Sequence, residues 1–246
     1  SQLECVEPGL SPREIIEQSV CFVFKDGQVF TLNDEISCSQ KCDLEITGAI
    51  QAKPLLAILR KLTEEELDIS VVDGQLILSG KKRKCGIRLE AEITLAIDSV
   101  EKPVKWKKLP EDFCDAVSIV QQCAGTDQSA FQFTCVHVTA EYLEACDNFQ
   151  LSRFTIATGV KKPFLVRRDS IKHAATLGMT EFSETQNWVH FRNPNELVLS
   201  CRRYHDTEDF PDLGKLIEVS GVKTTLPKGL AEAAEKAAIF SSENAE

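Results

Sequence analysis

The residues in this chain that could perform nucleophilic or metal chemistry are ten cysteines and four histidines. Thiolates and imidazoles bind zinc and act in covalent catalysis. The closest cysteine spacing is Cys38-x3-Cys42, without a matching second pair or a nearby histidine. None of the histidines has the H-x3-H spacing of a metal site; they are His137, His173, His190 and His205. The pattern therefore favours buried, reduced thiols over a metal centre.

A second candidate for catalysis is the run Tyr204-His205-Asp206, which could be half of a catalytic triad. It lies in an acidic segment, however, where a solvated loop is the simpler interpretation. The sequence contains no G-x-S-x-G, phosphate-loop or G-x-G-x-x-G motif. We therefore predict no catalytic residue, no metal and no cofactor. An enzyme that uses a cysteine stays open as a hypothesis that no motif supports.

Length and composition set the class of protein. A chain of 246 residues with 43% hydrophobic residues can form two domains of ordinary size with substantial cores. No apolar run approaches the eighteen residues that predict a transmembrane helix. The segment SQLECVEPGL lacks the basic start and apolar stretch of a secretory signal. We therefore expect a chain without a membrane span.

The charge is unevenly distributed along the chain. The net charge of −10 is unusual for a protein that binds DNA, but position matters more than the sum. Acidic residues concentrate at 64–66, 181–184 and 206–212, whereas basic residues cluster at or beside predicted helices. A solvated face explains each cluster alone, but three clusters together favour a shared basic surface. Its predicted members are Lys53, Arg60, Lys61, Lys105, Lys107, Lys108, Lys161, Lys162, Arg167, Arg168 and Lys172.

Capping residues and apolar periodicity predict five helices. Ser11 and Pro12 resemble a helix start, and Gly125 and Gly178 resemble helix stops. Residues 1–10 are expected to be irregular. The predicted helices are 11–18, 52–62, 110–125, 170–177 and 230–239.

The segments between these helices alternate like strands. Asp26-Gly27 and Asp73-Gly74 predict tight hairpins. The predicted strands are 20–24, 28–32, 35–41, 42–46, 67–72, 75–79, 85–89, 92–97, 131–139, 142–146, 150–159, 164–166, 188–191 and 196–203. This order predicts an α+β fold in which a βαβββ-like unit is repeated.

Two stretches far apart in sequence carry apolar groups beside turns. The first is EACDNFQLSRF, residues 144–154, and the second is DFPDLGKLIE, residues 209–218. Together they could line a small apolar pocket. The plainer alternative is two surface turns over a core.

The order of segments around these stretches resembles the bacterial DNA polymerase III β subunit, the sliding clamp. In that family a strand ends in a phrase of the type A-T-D-G-H-R-L-A, and here residues 145–152 read ACDNFQLS. A later F-P-D-Y phrase is matched by Phe210-Pro211-Asp212-Leu213. PFLVRRDSIKHAATL at 163–177 resembles the family's strand and helix between them, and LAEAAEKAAIFSSENAE at 230–246 resembles the helix that opens its third domain.

The resemblance, which runs from about Phe22 to the end of the sequence, implies a DNA-clamp fold. Antiparallel sheets would lie outside, and helices would line a ring. It implies a first clamp domain at 1–104 with a short first helix and a second at 105–221. Residues 222–246 would begin a third domain. The chain would then be a fragment lacking most of that domain, or a divergent clamp of cellular or phage origin.

The implied function is that of a processivity factor that encircles duplex DNA and tethers the replicative polymerase. The basic residues above would face the DNA without reading its sequence. Polymerase and clamp loader would bind through short peptide motifs. The implied peptide-binding pocket comprises Cys146, Asp147, Asn148, Phe149, Gln150, Leu151, Pro211, Leu213, Lys215 and Leu216.

Several residues depart from the family pattern. Its Gly-His-Arg in the first pocket loop is replaced by Asn148, Phe149 and Gln150, and its Tyr in F-P-D-Y by Leu213. A clamp-fold scaffold that binds proteins without closing on DNA is therefore the alternative. The other expected partner is the chain itself, as a ring of two or three copies. The expected location is the cytoplasm, in the bacterial cell or nucleoid, or in a host cell if the chain is phage-encoded.

Overall fold

The computed structural model describes residues 2–61, 66–81, 83–218 and 220–242. It contains two compact units, Ser1–Phe210 and Pro211–Glu246. The domain boundaries predicted at 104/105 and 221/222 remain predictions. Parts of three predicted features lie outside the described residues: Leu62 at the end of a helix, the acidic run at 64–65, and the final residues 243–246.

Helices are few and short. In the first unit they are α1 Gln2–Cys5, α2 Ala52–Leu59, α3 Phe113–Val120 and α4 Arg168–Thr176; in the second they are α5 Gly214–Ile217 and α6 Leu230–Ser242. Single 3-10 turns occur at Glu7–Gly9, Ile97–Ser99, Gln121–Cys123 and Phe131–Thr134.

The first unit has more residues in strands than in helices. They are β1 Cys21–Lys25, β2 Gln28–Leu32, β3 Ile36–Lys41, β4 Gly48–Gln51, β5 Asp68–Val72, β6 Gln75–Ser79, β7 Lys84–Arg88, β8 Lys107–Lys108, β9 Cys135–Val138, β10 Tyr142–Cys146, β11 Leu151–Thr155, β12 Phe164–Arg167, β13 Glu181–Glu184, β14 Trp188–Arg192 and β15 Val198–Arg202.

These strands form three antiparallel sheets. The largest has the order β4-β1-β2-β3-β15-β14-β13-β8, and the others are β11-β10-β9-β12 and β5-β6-β7. In the largest sheet, β3 pairs with β15 from Ile36 opposite Cys201 to Ser39 opposite Val198. Strands from the two halves of the first unit therefore form one continuous sheet.

The repeated βαβββ unit occurs three times along the described chain. The units are β4-α2-β5-β6-β7, β8-α3-β9-β10-β11 and β12-α4-β13-β14-β15. The first strand of each unit pairs with a meander outside that unit: β8 joins β13, β12 joins β9, and β4 joins β1 of the preceding meander β1-β2-β3. Within the described residues, β5 has no added strand of this kind. The prediction of an α+β fold built from repeated units and antiparallel sheets is confirmed.

Local sequence signals explain the elements predicted well. Asp26 and Gly27 have φ of 51° and 70°, as a type I′ hairpin requires, and Asp73-Gly74 is similar. In α3 the buried residues Phe113, Ala116, Val117 and Val120 follow helical spacing, so this face packs into the core.

The prediction for the first twenty residues was wrong. Residues 2–5 are helical, and no helix forms at 11–18. Gln18 has φ of 59° and a buried side chain, whose amide donates to the Glu92 carbonyl at 2.8 Å and accepts from the Thr94 N–H at 2.9 Å. These long-range hydrogen bonds hold a non-helical backbone that outweighs the local helix-start signal.

Other strand and helix limits were also wrong. Residues 42–46 and 92–97 are not strands: the first range has no regular structure, and the second ends where the 3-10 turn Ile97–Ser99 begins. The segments at 110–125 and 131–139 are shorter than predicted, because 3-10 turns replace one end of each. Strands β8 and β13 were not predicted from the sequence; both are short, and they pair with each other in the largest sheet. In the described part of the chain, no helix is both long and apolar enough to cross a bilayer.

His190 makes the stability of this fold sensitive to acid. Its side chain is fully buried in the large sheet, with Nδ1 2.8 Å from Ser200 Oγ and Nε2 3.1 Å from Thr185 Oγ1. Burial lowers the pKa of His190, the charge of Glu101 opposes this and that of Arg203 reinforces it, and together they bring the pKa to about 4. The unfolded chain therefore takes up a proton before the folded chain does.

We expect this histidine to contribute a stability loss of about 3 kcal/mol as the pH falls from 6.5 to 4, and none above pH 7. Urea unfolding of the wild type and of His190→Asn at pH 7 and pH 4.5 would measure it. The variant should lose less stability between these two pH values. Equal losses in the two proteins would show that His190 is not responsible.

Candidate functional site

The first predicted pocket stretch forms a tight turn at the end of the β10–β11 hairpin. Cys146 pairs with Leu151, and the four residues between them close the turn. Asp147 accepts hydrogen bonds from the N–H groups of Phe149 and Gln150 at 2.7 and 2.8 Å. The Phe149 hydrogen bond, followed by the Gln150 bonds, lowers the pKa of the Asp147 carboxyl. The turn thus leaves the Phe149 side chain 96% exposed.

An ionic network across three strands supports this hairpin. Glu144 on β10 lies opposite both His137 on β9 and Arg153 on β11. Its carboxylate is 2.8 Å from His137 Nδ1 and 2.6 Å from Arg153 Nη2, and its side chain is only 3% exposed. The His137 ring also contacts Phe210, with ring centroids 4.9 Å apart. The network therefore links the strands that carry the turn to the last residue of the first unit.

Residues 211–218 of the second stretch belong to the other compact unit. Asp212 accepts a hydrogen bond from the N–H of Gly214 at 3.0 Å, and α5 follows. The Leu213 carbonyl accepts from the N–H groups of Leu216 and Ile217. Each half of the predicted pocket is thus a defined turn, while the pocket itself remains a prediction.

Four of the predicted basic residues lie together in one cleft. Lys105 and Lys107 come from the segment around β8, and Lys161 and Lys162 from the loop before β12. The cleft has a volume of about 850 Å³ and also includes Arg203 and His205. Arg203 was not predicted as a site residue, and His205 was considered only in the run Tyr204-His205-Asp206, because both residues follow β15 next to an acidic segment. The adjacent pair Arg202-Arg203 was the available signal.

Other predicted basic residues bond within the chain. Arg60 pairs with Glu4 and Glu7, and Lys172 with Asp169. Arg167 donates to the Gln128 side chain and stacks over Phe131, whereas Arg168 donates to the Ala124 carbonyl. Lys53 is exposed at the start of α2, Lys61 is exposed just beyond its end, and Lys108 is exposed in β8. The predicted basic surface is therefore not a single cluster of equally available cations.

Burial keeps several of the cysteines protonated. All ten are free thiols. Burial raises the pKa of Cys21 and Cys146 to about 11, and that of Cys38 and Cys135 to about 12. A thiol held protonated reacts slowly. Among the described residues, no three histidine, cysteine or acidic side chains are grouped as metal ligands would be.

Comparison with solved structures decides the fold. The chain superposes on a DNA polymerase III β subunit from Thermotoga maritima with a TM-score of 0.77 at 16% identity. It superposes on the DNA polymerase sliding clamp from Bacillus subtilis with a TM-score of 0.73 at 14% identity. The protein has the fold of bacterial sliding clamps.

A third similar clamp, from Pseudomonas aeruginosa, was solved bound to griselimycin; its TM-score is 0.71 and its identity 14%. These matches cover 99%, 89% and 89% of this chain, in the order given. The chain spans 72% of the Thermotoga clamp but only 65% of the other two. No family model and no curated protein matches the sequence.

The clamp fold explains why the resemblance in sequence order holds at such low identity. The phrases at residues 145–152 and 163–177 coincide with a hairpin turn and a strand-helix junction of the repeated unit. Turn chemistry and helix starts depend on few residue types, so they remain recognisable when core side chains differ.

Proposed function

We propose that this chain is a sliding-clamp subunit that encircles duplex DNA and tethers a polymerase, acting without catalysis. The observation that carries the proposal is the clamp fold itself, with three βαβββ units and one sheet running across the β3–β15 junction. A closed ring of such units would stay on the DNA because it surrounds the duplex, without needing to bind it tightly. Its place of action would be the cytoplasm, on bacterial or phage DNA.

Exposed basic side chains would hold the DNA weakly and without reading its sequence. Phosphate contacts by lysine and arginine depend strongly on salt, with a slope of about 0.9 per contact on a log–log scale. Outside the cleft, the exposed members of the predicted DNA-facing set are Lys53, Arg60, Lys61 and Lys108, of which Arg60 is paired with Glu4 and Glu7. Arg167 and Arg168 already have partners within the chain, so they are poorer variants for a test.

Charge reversal tests the DNA-facing prediction. Lys53→Glu with Lys61→Glu should weaken nonspecific duplex binding and reduce its salt slope by about 2, since two phosphate contacts are lost. Fluorescence anisotropy across a salt series would measure both quantities. Lys81→Glu with Lys84→Glu, two exposed lysines outside the predicted set, provides the matched control. Equal effects in the two double variants would refute a specific DNA-facing surface.

We also propose that the turn at 147–151 and the segment at 211–216 bind a short peptide of the Q-L-x-L-F type. A few buried apolar anchors carry most of the affinity of such segments. Support comes from the exposed Phe149 and from Phe210, which packs against the sheet that carries the turn.

Leu151→Asp with Leu216→Asp should abolish binding of such a peptide and leave the DNA salt slope unchanged. Isothermal titration calorimetry with a synthetic peptide would measure the loss. Ile15→Asp with Val222→Asp, at exposed apolar positions in each unit, controls for added charge. Retained peptide binding in the Leu151/Leu216 variant would place the peptide site elsewhere.

A clamp-fold scaffold that never closes on DNA is the second candidate. It is favoured by the net charge of −10 and by the internal pairing of Arg60, Lys172 and Arg168. The two candidates differ in assembly, since a clamp must form a closed ring of two or three copies. Negative-stain images together with the oligomer mass in solution would distinguish them.

A further inference from the structure

The basic cleft that contains Lys105 and Lys161 is built from four separate chain segments. They are the segment leading into β8, the loop before β12, the end of β13 and the residues after β15. Lys105, Lys161 and Lys162 are exposed, so their ammonium groups can turn towards a ligand. The volume of about 850 Å³ is within the range of ligand-binding clefts in proteins.

The charge of this cleft is strongly one-sided in an otherwise acidic protein. Its described lining carries four lysines and Arg203, with His205 beside them, but only one carboxylate, Glu184. That carboxylate is already in use: it pairs with Lys107 at 3.2 Å and Arg203 at 3.3 Å, and it accepts the N–H of Lys161. Glu184 therefore leaves the three exposed lysines without a compensating charge from the cleft wall.

Arg203 adds a buried positive charge that is only partly compensated. Its side chain is 5% exposed, lies over the Phe164 ring and donates from Nη1 to the Thr185 carbonyl at 2.7 Å. Its buried Nε has no hydrogen-bond partner. A buried guanidinium with an unused donor is costly unless a further anion lies near it. An anionic ligand in the cleft would lower that cost through its field.

We propose that this cleft binds a run of phosphate groups, supplied either by a nucleic-acid backbone or by a free polyphosphate. Several lysines spread along an open groove suit a chain of charges better than a single small anion. The described side chains that line the cleft include no Phe, Tyr or Trp, and His205 alone offers a ring on which a base could stack. Recognition would therefore be of phosphate and independent of base sequence. The proposal requires neither a closed ring nor the peptide pocket.

Tripolyphosphate titrated into the protein by calorimetry at low salt tests the cleft directly. Wild type should bind it, and Lys161→Glu with Lys162→Glu should weaken binding at least tenfold. Lys81→Glu with Lys84→Glu makes the same charge change on exposed lysines elsewhere and should alter the affinity less than twofold. Lys105→Glu, from a different segment of the cleft, should weaken binding as an independent check.

Competition separates the two sources of phosphate. If tripolyphosphate displaces a labelled oligonucleotide and Lys161→Glu with Lys162→Glu weakens both ligands, the cleft holds a nucleic-acid backbone. If tripolyphosphate binds there and the oligonucleotide does not, the ligand is a free polyphosphate. The proposed phosphate site is then supported even if the protein does not encircle DNA. Absence of tripolyphosphate binding, or equal losses in the cleft and control variants, would overturn the proposal.

Discussion

Replacing Glu144 with leucine should lower the free energy of unfolding by about 3–5 kcal/mol, the cost of breaking a buried ion pair from one side. The Glu144 side chain is 3% exposed and lies between His137 and Arg153. Its removal leaves the Arg153 guanidinium, which is 21% exposed and stacked on Tyr142, without its carboxylate partner. Urea denaturation of the wild type and the variant would measure the loss.

A second substitution distinguishes an unpaired charge from a packing defect. Adding Arg153→Met to Glu144→Leu removes the stranded cation, so much of the lost stability should return. Lys41→Ala breaks the exposed pair between Lys41 and Glu196, whose side chains are 71% and 57% exposed, and should change the free energy of unfolding little. A Glu144→Leu loss no larger than that of Lys41→Ala would mean that the network contributes little to stability.

Leu55→Ala in α2 should cost about 2–5 kcal/mol, because it removes a side chain that is 2% exposed in the main core. Leu59→Ala makes the same change one turn later, where the side chain is only partly buried, and should cost about 1 kcal/mol. The substitution is the same at the two sites and leucine and alanine are both good helix formers, so most of the difference reports burial. Denaturant midpoints of the two variants give this difference, and a larger loss at Leu59 would contradict the orientation of the helix.

Local signals determined the parts of this fold that the sequence predicted correctly. Asp26-Gly27 specifies its hairpin because a type I′ turn needs two residues that tolerate positive φ. The apolar spacing of Phe113, Val117 and Val120 specifies the buried face of α3. Because these signals recur in order, the repeated βαβββ unit and the resemblance to sliding clamps could be recognised from the chain alone.

The prediction from sequence failed where hydrogen bonds to distant residues determine the backbone conformation. Ser11 and Pro12 resemble a helix start, yet Gln18 bonds to residues more than seventy positions away and imposes a different backbone. Strand β8 has only two residues, so its place beside β13 reflects tertiary pairing rather than its own alternation.

The basic residues show the same division between local and tertiary information. Their number and spacing along the chain were evident, and they predicted a surface for phosphate. Only the fold determined that Lys105 and Lys161 line one cleft with Arg203, whereas Arg168 is turned to a backbone carbonyl. Composition specifies which charges a chain carries, but the availability of each charge depends on which groups folding brings within hydrogen-bond distance.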